Sequence, residues 1–311
     1  MSKNEIESKT KLTKLLASAG LILVTVIWGS AFVVMKNSID VISPTYVLAY
    51  RFTVAAIGMV ILFWKKVRTM SKQEFGYGLV VGALLFISYY FQTYGLKYTT
   101  ASKNAFITTL YVIIVPFLHW LFNKVRPTRN NLIAAVIAVI GLALLSLKGD
   151  LTINYGDFLT LICGICFATH IVFLDRYTAT YDPIRLTVMQ MAGAAVFSWI
   201  VAGLTEGPCN LAVLSDWSVT GGILYLGLAS SMFCFLLQTV GQKYLDAGTS
   251  SILLSFEAVF GLIFSVIFLH DPMTLRGLVG CALMFAAAIL AEYTPKKKEK
   301  PVSGQQTAAV Q

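Results

Sequence analysis

The sequence predicts an all-α polytopic membrane protein with ten transmembrane helices arranged as two inverted five-helix repeats. Three observations predict it: an apolar composition, ten segments of membrane-spanning length, and an internal repeat. Of 311 residues, 57% are hydrophobic and only 13% charged, where soluble domains carry about 25% charged residues. The mean hydropathy of +0.74 agrees. A hydrocarbon core of roughly 30 Å takes about 20 apolar residues per helix. Segments of that kind run at 16–35, 45–64, 76–96, 104–122, 130–147, 157–175, 184–204, 219–240, 249–269 and 274–292. The stretches between them are too short for a soluble catalytic domain, which needs about 50 residues or more, so any chemistry sits among the helices.

The leading residues 1–15, with Lys3, Lys9, Lys11 and Lys14, superficially resemble the start of a signal peptide. The apolar run that follows is about 20 residues long and lacks a small-x-small cleavage site, so it reads as an uncleaved first helix behind a cytoplasmic segment. At the other end, 294–311 carries Lys296, Lys297, Lys298 and Lys300 followed by Ser, Gly and Gln. That stretch is too polar to pack and is predicted to be a disordered cytoplasmic tail.

The net charge of +9 is explained by where the basic residues fall. With a cytoplasmic N-terminus, 18 of the 24 lie on the inner side: four in each tail, four at 65–75, three at 123–129, and Arg176, Arg185 and Lys243. The outer side holds five, Lys36, Lys97, Lys103, Lys148 and Arg276, and Arg51 stays inside a helix. This bias predicts both termini in the cytoplasm and accounts for the charge without a nucleic-acid partner. The five cysteines lie in or beside apolar segments except Cys209, in the predicted outer loop after the seventh, and form no disulfide framework.

QTYGLKY at 92–98 recurs as QTVGQKY at 238–244, five identities in seven at an offset of 146. The register continues from Ala101 to Ala247, Thr128 to Thr274 and Leu132 to Leu278, while Pro44 matches Pro183 at an offset of 139. Five is an odd number of helices, so the second copy enters the membrane from the opposite side. Lys97 then faces outward and its mate Lys243 faces the cytoplasm. Inverted repeats offer two near-equivalent packings, the basis of alternating access, with the substrate site between the halves. The predicted halves are 16–148 and 149–293.

The chain resembles the drug/metabolite transporter superfamily, specifically its EamA-type bacterial members with two EamA domains. The residues that carry the resemblance are Trp28, Gly29, Ser30 and Phe32, then Arg51 and Phe52, then Gly95, Leu96, Tyr98, Thr99 and Ala101. Two departures occur in the ninth segment: Glu257 precedes Ala258 where a proline is common, and His270 and Asp271 replace the usual Gly-Glu. The resemblance implies a transporter in the plasma membrane that exports small amphipathic metabolites such as amino acids.

Ionisable side chains at bilayer depth are costly and are by default functional candidates. Glu257 shares a helical face with Ser250, Gly261 and Ser265 near the middle of the ninth segment; it is either a cavity carboxylate that binds an ammonium or exchanges a proton, or a carboxyl fixed between helices. Arg51 either binds a substrate carboxylate through its planar fork, snorkels to the outer interface, or bonds a backbone carbonyl. His170 follows Cys163 and Cys166 at i, i+3 and i+7. That spacing could grip a metal, but a structural site takes four ligands; with His119 the only other donor in view, packing and interhelical hydrogen bonds are the preferred reading and no metal or other cofactor is expected. Gln92 and Gln238 are equivalent in the two repeats and can serve a zwitterion or a sugar hydroxyl, or bond between helices. Trp28, Tyr111 and the aromatics Tyr89, Tyr90, Phe91 and Tyr94 are candidates to line a cavity.

The expected function is therefore secondary transport of a small metabolite, with protons as candidate partners. A P-loop is absent, as are H-E-x-x-H and G-x-S-x-G; CGIC at 163–166 is the one redox-like string. An intramembrane enzyme and a transporter-like scaffold or receptor are the alternatives.

Overall fold

The computed structural model describes residues 3–99, 101–146, 154–208, 211–268 and 274–292. Lys148, Cys209, His270, Asp271 and the tail 294–311 lie outside the described residues, as does the side chain of Ser265.

The first half contains α1 Lys3–Ile39, α2 Pro44–Leu62, a single turn α3 Trp64–Val67, α4 Lys72–Tyr98, α5 Ala101–Thr109, α6 Tyr111–Asn123 and α7 Arg129–Ser146. The second contains α8 Tyr155–Thr178, α9 Pro183–Thr205, α10 Trp217–Leu224, a π-helical stretch Tyr225–Phe233, α11 Cys234–Gln242, α12 Ala247–Leu254, α13 Glu257–Phe268 and α14 Leu275–Glu292. The described residues contain no strand.

Helix starts follow local chemistry. Pro44 and Pro183 open α2 and α9, where a missing N–H costs nothing. Ser71 with Glu74, and Asn154 with Asp157, form reciprocal capping boxes at α4 and α8. The leading helix begins at Lys3 rather than at 16, because residues 4–15 contain neither Pro nor Gly to stop it.

Among the described residues, eight helical stretches are long and apolar enough to cross a membrane. The expected fifth and tenth segments fall on two shorter apolar stretches, Arg129–Leu144 and Leu275–Ala291, and these two helices pack along each other.

Two expected continuous helices are broken. The fourth segment is interrupted at Leu110, between α5 and α6, and the ninth at Ser255 and Phe256, between α12 and α13. Glu257 is thus the first residue of a half-helix, not the middle of a long one. The breaks coincide in the repeat register: Tyr111, which opens α6, and Glu257, which opens α13, are 146 residues apart.

The halves interleave. α1 packs on α11, α12 and α13 of the other half, and α8 packs on α4, α5 and α6; α2 runs along α9, and α6 meets α12. Each of these pairings has its mate under exchange of the repeats. Small residues permit the closest approaches: a Cβ on Gly29 would lie 2.7 Å from the Gly261 backbone nitrogen, and one on Gly156 2.7 Å from the Gly95 carbonyl oxygen. α4 ends beside the start of α8, where Thr99 Oγ1 donates to Asp157 Oδ1 at 2.6 Å. α11 ends beside the later part of α8, where Gln242 Nε2 donates to the Ile171 carbonyl at 3.0 Å.

Carboxylates tie α2 to α9 at both ends. Glu206, just past α9, accepts from the Thr45 amide at 3.0 Å, the Thr45 hydroxyl at 2.7 Å and the Tyr46 amide at 3.3 Å, and also from the Tyr94 hydroxyl of α4. It caps a helix start in another part of the chain. Burial pushes its carboxyl up, but the hydrogen bonds from Tyr94, Thr45 and Ser43 outweigh burial and hold it below the usual carboxylate range. At the other end Asp182 caps α9 through the Ile184 and Arg185 amides and pairs with Lys66, just past α2. Burial and these bonds oppose each other there too, and the Asp182 carboxyl is held low. Arg185 joins this group through Glu74, at 3.0 Å.

Candidate functional site

The interleaving leaves a central cavity. Both halves line it. α1 contributes Trp28, α2 Arg51, α4 Tyr89, Gln92 and Thr93, and the α5–α6 pair Thr108 and Tyr111. From the second half come Phe167 and Ile171 of α8, Ser230 of the π-helical stretch, Gln238 of α11, Leu254 of α12 and Glu257 of α13.

Arg51 is 2% exposed and does not snorkel. Its Nε donates to Ser231 Oγ at 2.9 Å and a terminal nitrogen to Ser230 Oγ at 3.1 Å, and its Cζ stands 4.6 Å from the centre of the Tyr89 ring. Both serines belong to the π-helical stretch, a distortion that often marks functional sites. The same stretch accepts from Trp28, whose indole Nε1 donates to the Ser230 carbonyl at 2.9 Å. Among the described residues no carboxylate pairs with Arg51.

Glu257 is 5% exposed, lines the cavity and makes no hydrogen bond or ion pair with a described residue. The break before it separates it from Ser250, which lies in α12, while Gly261 follows one turn on in α13 and meets Gly29 of α1. Tyr89 and Tyr111 line the same cavity as Arg51 and Glu257.

Six sequence candidates therefore converge on one cavity: Trp28, Arg51, Gln92, Tyr111, Gln238 and Glu257. Two do not. His170 is fully buried, bonded through Nε2 to Gln190 Oε1 at 3.0 Å and edged by Phe167 and Phe235. His119 pairs with Asp175 Oδ2 at 3.0 Å, supported by Asn123 at 3.1 Å. Cys163 is buried against Thr108, and among the described residues no three His, Cys, Asp or Glu side chains gather as a metal site would require.

Sequence reasoning missed Ser230, Ser231, Thr93 and Phe167. Serine and threonine are common in membrane helices and carry no charge to flag them. The signal that was available is Arg51 itself, since a buried guanidinium requires acceptors from some neighbouring helix.

The profile of the EamA-like transporter family matches the chain twice, over residues 15–147 and 154–293. The chain belongs to the EamA-like transporter family. Among its relatives is a protein described as an uncharacterized transporter from Archaeoglobus fulgidus, 30% identical over 277 residues that cover 89% of this chain and 86% of that one. Another is the uncharacterized transporter YoaV of Bacillus subtilis, 23% identical over 290 residues, covering 90% and 98% respectively. A crystal structure of a protein 16% identical in sequence superimposes with a TM-score of 0.73, covering 89% of this chain and 96% of its own, which shows a shared fold. As an EamA-like transporter with several membrane-spanning helices, the protein is a multi-pass protein of the cell membrane.

Proposed function

We propose that this EamA-like transporter exports small amphipathic metabolites such as amino acids by alternating access, in exchange for protons. The observation that carries the reading is the central cavity, to which the first half brings a buried arginine and the second a buried glutamate that has no partner among the described residues. A zwitterion fits that arrangement. Arg51 takes the carboxylate through its planar fork, Glu257 takes the ammonium or, between substrates, a proton, and the aromatic walls take the apolar side chain. Gln92, Gln238, Tyr111 and Trp28 complete the site, while His119 and His170 serve as interhelical ties.

In this reading the chain is two inverted five-helix units, 16–148 and 149–293, with both termini cytoplasmic. The mate-by-mate packing of the halves and the coincident breaks at Leu110 and Phe256 support it. Discontinuous helices at the interface of inverted repeats are where transporters of this architecture hold their cargo. The proposal contains no catalytic step, and the basic residues serve orientation rather than nucleic-acid binding.

Growth of an overexpressing strain on a panel of toxic amino-acid analogues and unrelated toxic metabolites tests it. Resistance confined to the amino-acid analogues is expected. Resistance to another chemical class, or to none, would reject the substrate assignment.

A further inference from the structure

The cavity holds three buried polar atoms that find no hydrogen-bond partner among the described residues: Thr93 Oγ1, Tyr111 Oη and Gln238 Oε1. All three side chains are no more than 3% exposed. Orphaned polar atoms at such depth are rare in folded proteins and call for an explanation.

Each is orphaned for a reason that points into the cavity. The orientation of the Gln238 amide is fixed by a relay. Gln242 Nε2 donates to the Ile171 carbonyl, so Gln242 Oε1 must accept; Gln238 supplies its Nε2 at 3.0 Å, which leaves Gln238 Oε1 as the face the cavity meets. Thr93 departs from the habit of its repeat mate. Thr239, 146 residues on, returns its hydroxyl to the Phe235 carbonyl at 2.6 Å, as helical threonines commonly do. Thr93 makes no such bond and lines the cavity instead. Tyr111 opens the half-helix α6 and lines the cavity together with Glu257.

Gln238 Oε1 can only accept, a glutamate carboxylate can only accept, and the two hydroxyls can do so. Resting on the reading of this cavity as the substrate site, we propose that Thr93, Tyr111, Gln238 and Glu257 form an acceptor lining that selects a primary ammonium, with its free N–H groups, over quaternary or acylated nitrogen. A trimethylammonium group keeps the positive charge but brings no N–H donor, and leaves the buried acceptors unsatisfied. An N-acyl group removes the charge as well.

The test uses the full chain in lipid nanodiscs, with thermal stabilisation as the readout of binding. The probes are leucine, phenylalanine, threonine and cysteine, each beside its N,N,N-trimethyl and N-acetyl derivative. For the parent that binds, the trimethyl derivative is expected to need about a hundredfold higher concentration, as for buried acceptors left unsatisfied. Tyr111→Phe and Thr93→Val remove one hydroxyl each at nearly constant shape. Each is expected to narrow that gap by about tenfold, by weakening the parent and sparing the trimethyl derivative. Equal stabilisation by parent and trimethyl derivative would overturn the ammonium assignment while leaving amphipathic transport intact, and so would equal losses for both in the two variants. Stabilisation by none of the parents would overturn the amino-acid reading and this inference together.

Discussion

Tyr111 and Glu257 stand at the same position of the two repeats, each the first residue of a half-helix, and both line the central cavity. A phenol therefore takes the place in one half that a carboxylate takes in the other. The same divergence holds further out, since the Pro44–Pro183 offset of 139 sets Arg51 opposite Gln190. Arg51 is bonded to Ser230 and Ser231 across the interface, whereas Gln190 is bonded to His170 away from the cavity.

Replacing Glu257 with Gln mimics the protonated carboxyl at nearly constant shape. The variant is expected to insert and fold, and to lose transport driven by a pH gradient. Initial rates in proteoliposomes at a series of gradients check this. A rate that still steepens with the gradient would show that the proton travels elsewhere.

Arg51→Ala removes a charge-assisted contact worth about 1.5–3 kcal/mol. Transport of a carboxylate-bearing substrate is expected to fall about tenfold or more relative to the amine that lacks the carboxylate. Equal losses for the two would make Arg51 a structural tie alone.

Much of this site was legible beforehand because a polar or charged side chain in an apolar segment stands out: Arg51, Glu257, Gln92 and Gln238 are visible at once. What sequence cannot tell is whether such a group meets a cavity or another side chain. His170 and Glu257 are both ionisable groups in apolar segments, and what sets His170 apart in the fold is that Gln190 lies across from it. The helix breaks were invisible for a different reason, since neither Leu110 nor Phe256 is a residue that breaks helices. Glu206 was passed over because its partners, the Thr45 and Tyr46 amides, lie about 160 residues away.

Glu206 makes a pH prediction. Its carboxyl is held low in the folded protein, so near the ordinary value of about 4.3 the unfolded chain binds the proton more readily. The stability it contributes is complete above that value and is lost as pH falls through the lower folded one. Glu206→Gln is expected to cost about 1 kcal/mol at neutral pH, as for a lost cap, and to flatten the acid side of a melting-temperature profile. A parallel profile, merely displaced, would refute the assignment.

Gly29 faces the Gly261 and Phe260 backbone with no room for a side chain, whereas a Cβ on Gly20 meets nothing within 4 Å. Gly29→Val is expected to abolish accumulation of folded protein, and Gly20→Val to leave it near the parent level. Fluorescence-detected size-exclusion profiles separate the two; a monodisperse Gly29→Val peak of parental height would contradict the packing.

Orientation is checked by single cysteines and an impermeant thiol reagent. Sites near Lys97 and Lys148 are expected to react from outside, and sites near Lys72 and Lys243 are not, following the distribution of basic residues. External reaction near Lys243 would exclude the inverted arrangement.

The unlike residues at matched positions explain why one fused chain serves here better than two separate copies of a half. A homodimer of the first half would face the cavity with two arginines and two tyrosines, repelling a second cation and offering no acid. A homodimer of the second would present two glutamates and two glutamines, with no partner for an anion. Two copies free to diverge let one half keep the cation and the other the acid, so that a symmetric shell can enclose a site with a positive and a negative end.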